Sequence, residues 1–232
     1  MTIIDDTDIP ATPAAALAPV TFDLYRDIHK SIRAELFAVT EEAGRADPSC
    51  AADRTALAAH VDSVVAYLVS HAEHEDANVQ PAIEAHLPDL AERIASDHVR
   101  LEARMDTLRA LAADAAGRFD LHRVYLELAS FTSAYLAHQD LEERLVMPAL
   151  DSAIGLDAVV AIHGAVIASL SPDEMMRSLA LMLPAMNVDD RTELLGGMRA
   201  DAPAPVFEAV WRLAGSVLPV ADHSTLATRL GV

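Results

Sequence analysis

Residues 120–150 read DLHRVYLELASFTSAYLAHQDLEERLVMPAL. Leu121, Val124, Leu128, Phe131, Tyr135, His138, Glu142 and Leu145 follow one another in steps of three and four. That spacing puts them on one face of a single helix. The face is apolar until it reaches His138 and Glu142, one turn apart. An ionised carboxylate buried alone is strongly unfavourable, so this pair needs a positive partner in the core it faces.

Three more segments repeat the pattern. Leu57, Val61, Val64, Leu68, His71, Glu75 and Val79 form a second stripe, and Leu87, Leu90, Ile94, His98, Leu101, Met105 and Leu108 a third. In the first segment His29 is flanked by Ile28, Ile32 and Leu36. Glu102 stands one turn after His98 and reads either as a further ligand or as a surface ion-pair partner of Arg100 or Arg104. Each helix turns one imidazole inward and at least two add a carboxylate. A pair of metal ions answers this charge problem, because imidazole nitrogens and carboxylate oxygens ligate and Glu can bridge.

The chain also carries an internal repeat. HAEHEDANVQPAI (71–83) aligns without gaps on HQDLEERLVMPAL (138–150), and both read H-x-x-x-E-[DE]-x-x-V-x-P-A-[IL]. The upstream histidines match, with His29 lying 42 residues before His71 and His98 lying 40 before His138. Two helical hairpins, each giving H…HxxxE, would form one dinuclear site at a pseudo-two-fold interface.

Around these stripes, long helices are expected at about 21–43, with Thr21 as N-cap, and at about 53–79, 88–116 and 120–146. Short connections between long helices favour antiparallel neighbours, hence an all-α, up-down-up-down four-helix bundle. From about residue 151 the pattern continues in shorter helices near 157–169, 172–183, 189–198 and 205–217, with a last one after residue 223. Ser171-Pro-Asp-Glu174 is a capping box that opens the second of these. Residues 1–20 read as a flexible Ala- and Pro-containing tail, 21–150 as the bundle, and 151–232 as a helical extension packing on it.

Composition narrows the function. Of 232 residues, 52% are apolar and 4% aromatic, a mix suited to packed helices. The net charge of −19 argues against nucleic acid and anionic membranes as partners. No apolar stretch is long enough to span a bilayer. Cys50 is the only cysteine, so no intrachain disulfide forms, and a cytoplasmic location is expected.

The order His29, His71-x-x-x-Glu75, His98, His138-x-x-x-Glu142 resembles the hemerythrin-like HHE cation-binding domain over about residues 20–150. The resemblance implies a four-helix bundle with a non-haem di-iron site. His29, His71, His98 and His138 would be terminal ligands, and Glu75 and Glu142 bridges. Manganese or zinc would suit the same donors. Oxygen-carrying hemerythrins place a second histidine where this chain has Glu102, and an Asp where it has Glu143; Glu142 better fits the HHE pattern. The missing histidine leans the reading towards a di-iron oxidoreductase, catalase- or peroxidase-like, acting on hydrogen peroxide, oxygen or nitric oxide in oxidative or nitrosative stress. Oxygen binding, or iron sensing or storage without turnover, is the alternative. Glu102 and Tyr67 are the candidate catalytic groups, Glu102 moving protons and Tyr67 hydrogen-bonding a bound oxygen species. Tyr135 is a similar candidate. His163, in an apolar run, reads as a packed neutral histidine.

Overall fold

The computed structural model describes residues 18–232, and every described element is helical. The expected tail lies outside the described residues as far as residue 17. From Val20 the chain is already packed: Val20, Phe22 and Leu24 lie against a core formed by Tyr25, Ile83, Ile94, Met147, Leu150 and Val159. The first helix therefore starts later than expected. Helix α1 spans Arg26–Arg45. Asp23, and not Thr21, serves its start, its Oδ1 accepting from the backbone N–H groups of Tyr25 and Arg26 at 3.0 Å each.

Three more long helices follow, α2 (Ala51–Asn78), α4 (Pro88–Asp114) and α5 (Arg118–Leu141), with a short α3 (Gln80–His86) between α2 and α4. Their starts and stops obey backbone chemistry. Pro81 falls in the first turn of α3, where its missing N–H costs nothing, and α2 stops just before it. Pro88 opens α4 in the same way. Gly117 precedes α5 in an extended conformation, and its N–H donates to Asp120 Oδ2 at 3.2 Å. Helix α1 packs on α2 and α5, and α4 packs on α2 and α5. The buried stripes Ile32–Leu36–Val39, Leu57–Val61–Leu68, Leu101–Met105–Leu108 and Val124–Leu128–Phe131 meet in one apolar cluster between them.

The repeat is copied in sequence but not in backbone. After α5 the chain makes a π-helical turn, Glu142–Val146, before α6 (Met147–Ile154). Pro148 supplies a reason. It cannot donate to the carbonyl four residues back and its ring crowds that carbonyl. The preceding turn widens, and the Met147 N–H bonds Glu142 O. In the first copy Pro81 ends the helix instead.

Gly155 has φ +78° and separates α6 from α7 (Leu156–Ser169), where the chain turns by 117°. Then come α8 (Pro172–Ala185), α9 (Val188–Asp201), α10 (Ala204–Val217) and α11 (Val220–Leu230). The Ser171 box forms, with Ser171 Oγ accepting from the Glu174 N–H and Glu174 Oε2 from the Ser171 N–H. These helices have a core of their own around Leu183, Leu195, Ala214 and Leu226. Helix α8 also packs on α1, and α7 on α2 and α6. No single helix among the described residues is long and apolar enough to cross a membrane.

Candidate metal centre

The four stripes carry their polar residues to one level. His29 is fully buried on α1, and His98 and His138 are buried on α4 and α5. Glu75 and Glu142 are the buried carboxylates among them, at 7% and 1% exposure. Donor atoms of Glu75, His98, His138 and Glu142 lie within 4.8 Å of one another, and so do those of His29, His71 and Glu75. Glu75 belongs to both groups. Glu142 also touches both sides, with Oε1 3.3 Å from His138 Nε2 and Oε2 3.4 Å from His29 Nε2. Glu75 Oε1 is 3.0 Å from His71 Nε2, and its Oε2 is 3.6 Å from His98 Nε2.

The fit of this cluster to metal ions can be judged from its orphaned atoms. His29 Nε2, His71 Nε2, His98 Nε2, both Glu75 oxygens and Glu142 Oε2 are buried without a hydrogen-bond partner among the described residues. A fold rarely leaves so many polar atoms unsatisfied at one point, and all of them are metal donors. The electrostatics agree. Burial lowers the His29 pKa and takes that of His138 down to about 3, so both imidazoles are neutral, the form that ligates. Burial pushes the Glu75 pKa up, but the facing imidazoles, His71 foremost, outweigh it and hold the carboxyl down at about 2. Glu142 goes the other way, raised by burial and then by the neighbouring Glu75 and Glu143. Two carboxylates this close do not both ionise without a cation between them.

Behind the inner atoms lies an outer layer that sequence reading did not assign. His29 Nδ1 is 2.9 Å from Glu143 Oε1, and Arg33 grips both oxygens of Glu143 at 2.7 and 3.0 Å. His98 Nδ1 is 2.8 Å from Asp76 Oδ1. His138 Nδ1 faces Asp97 Oδ2 at 3.7 Å, beyond hydrogen-bond reach. A carboxylate only accepts, so Nδ1 of His29 and of His98 carries the hydrogen and Nε2 keeps its lone pair for the centre. Tyr25, just ahead of α1, is also part of the site. It is buried, its ring lies 5.1 Å from that of His29, and burial with the nearby Glu142 and Glu75 raises its pKa. Its position one turn before His29 was the available signal.

The candidate residues divide as follows. His29, His71, Glu75, His98, His138 and Glu142 come together. Glu102 does not: it is exposed on α4 and belongs to neither group. The buried face of α4 runs through Ile94, His98, Leu101 and Met105, and at 3.6 residues per turn Glu102 falls about 70° from its centre. Tyr67 is partly buried and shares a 2.7 Å hydrogen bond with Ser31 Oγ. Tyr135 is buried, with its ring 5.8 Å from that of His138. His163 is half-buried against Phe22, with the rings 5.0 Å apart.

No curated protein and no solved structure matches the chain in sequence or fold comparison. The hemerythrin HHE cation-binding domain matches residues 20–199, a span that continues beyond residue 150 through α7 and α8 and most of α9. With this match over most of its length, and with buried His and Glu donors that could hold a metal ion, the chain belongs to the hemerythrin HHE cation-binding family.

Proposed function

We propose that α1, α2, α4 and α5 form an up-down-up-down four-helix bundle holding two iron ions, and that the centre reacts with a small oxidant such as hydrogen peroxide, oxygen or nitric oxide. The observation that carries this reading is the pair of donor groups that share Glu75 and are spanned again by Glu142. His29 and His71 would hold one ion, His98 and His138 the other, with Glu75 and Glu142 between them. When bound, such a pair supplies one-electron redox steps at positions open to a small molecule.

The protein's own residues do the rest. The neutral imidazoles and the two carboxylates offset the positive charge. Glu143 and Asp76 fix the ring orientation of His29 and His98. Tyr25 and Tyr135 keep their phenolic hydrogens, because burial and the neighbouring carboxylates disfavour phenolate, so they are hydrogen-bond donors beside the site. The apolar clusters above and below exclude bulk water. Glu102, being exposed, takes no part, and the carboxylate-rich character that favours turnover comes from Glu75 and Glu142 beside the single imidazole that α4 contributes. In this reading residues 151–232 cover the site, and the protein works in the cytoplasm.

The test is peroxide consumption and oxygen evolution by the iron-loaded full chain. Loss of peroxide well above that given by the same amount of free iron supports the oxidant reading. Stable, reversible oxygen uptake without peroxide loss would replace it with carriage.

A further inference from the structure

The internal repeat contains a position that the two central carboxylates leave unexplained. Each HxxxE is followed at once by a second acid, Asp76 in the first copy and Glu143 in the second. The structure gives both the same task, and the task crosses between copies. Asp76, from the first hairpin, bonds Nδ1 of His98, the leading histidine of the second hairpin. Glu143, from the second, bonds Nδ1 of His29, the leading histidine of the first. We propose that Asp76 and Glu143 are reciprocal positioning residues, each setting the tautomer and orientation of the other hairpin's histidine, and that their unequal anchoring makes the two metal positions unequal in lability.

The inequality is visible in what holds each acid. Four residues after His29 stands Arg33, which binds both oxygens of Glu143. Glu143 is mostly withdrawn from solvent, at 21% side-chain exposure. Four residues after His98 the matching position is Glu102, an acid where the first copy has a base. Asp76 has no Lys or Arg partner among the described residues, and its side chain is 50% exposed. A bidentate guanidinium–carboxylate pair fixes geometry. An exposed single hydrogen bond is screened and opens readily. His29 is therefore clamped and His98 is loosely held, so the ion bound through His98 and His138 leaves first. The exposed Glu102 gains a meaning here: it is the residue that leaves Asp76 without a clamp.

The lability half of this inference rests on the metal-centre reading above, and the tautomer half does not. The tautomer half is tested on metal-free full-length protein by 15N NMR of the histidine rings. Asp76→Asn is expected to shift the Nδ1–H/Nε2–H tautomer signals of His98 and leave His29 unchanged, and Glu143→Gln to do the reverse. Asp76→Glu is expected to restore the His98 signals. If neither variant moves the signals of its partner histidine, the reciprocal assignment is wrong, whatever the protein binds.

The lability half is tested on iron(II)-loaded protein with an excess of a ferrous chelator. Two release phases of one equivalent each are expected. Asp76→Asn should speed the fast phase about tenfold and leave the slow phase unchanged, while Glu143→Gln should speed the slow phase by a similar factor. Glu102→Arg, which gives Asp76 the cation it lacks, should slow the fast phase. A single phase in the native protein, or equal acceleration of both phases by either variant, would overturn the inequality. Should no iron bind at all while the NMR shifts occur as stated, the metal-centre reading fails and the positioning assignment stands.

Discussion

Glu75 and Glu142 are two carboxylates buried at one point, and each alters the charge the other can carry. Both lie at the middle of the donor cluster, and their pKa values are driven apart because the metal-free core tolerates one negative charge better than two. Glu142→Gln removes a buried acid that has no compensating cation there. Metal-free protein carrying it is expected to unfold at higher temperature, by an amount corresponding to about 1–3 kcal/mol, while iron content falls. Differential scanning calorimetry with elemental analysis reads both. A variant that loses stability without metal argues that Glu142 is satisfied by protein groups alone. Glu102→Ala is the contrasting case. Its site is exposed, so stability should move by no more than about 0.5 kcal/mol, and two irons should still bind. Loss of an iron in that variant would return Glu102 to the ligand set.

At the scale of elements, the stripes were legible because helix periodicity is strict. The inward facing of His29, His71, His98 and His138 follows from the spacing of the stripes, and the helix breaks near Pro81, Pro88 and Gly117 follow from the proline and glycine residues themselves. A stripe has a centre, however, and spacing by four does not locate it. On α2 the buried face runs through Leu68, Ala72 and Glu75, so the acid is central and His71 sits at its edge. On α4 the face centres between Ile94 and Met105, on the far side of His98 from Glu102, and the acid one turn after His98 swings out to solvent. The π turn at Glu142–Val146 was not legible either, because the same Pro-Ala pair ends a helix in one copy and widens it in the other. The role of Asp76 and Glu143 depends on contacts between α2 and α4 and between α1 and the π turn, which no local pattern records. Pro148→Ala restores an N–H and relieves the crowding that widens the turn. It is expected to let the helix close regularly, displace Glu143 from His29 and weaken iron retention several-fold relative to native protein. Chelator-release rates and the His29 ring signals check this, and unchanged values for both would remove the turn from the account.

Across the whole molecule, the C-terminal helices do two things at once. They build a core of their own and lay α8 along α1, the helix that carries His29. Val159 of α7 is fully buried in the cluster beneath the site, beside Leu150 and Ile83. Truncation after Ala153 removes that contact and uncovers the apolar cluster around Ile83, Met147 and Leu150. The shortened chain is expected to bind apolar dye, melt at lower temperature and release iron faster; unchanged melting and release would make the extension an independent unit. The net charge of −19 repels polyanions, in keeping with the small, neutral or weakly charged ligand proposed for the centre. All of this depends on the cluster holding two ions. The most direct measurement is elemental analysis of full-length protein purified without added metal and then loaded with ferrous iron under nitrogen. Two metal equivalents per chain, falling to fewer than one in Glu75→Ala, is the predicted result. No more than one equivalent in the native protein after loading, or two retained in Glu75→Ala, would contradict the shared-carboxylate centre.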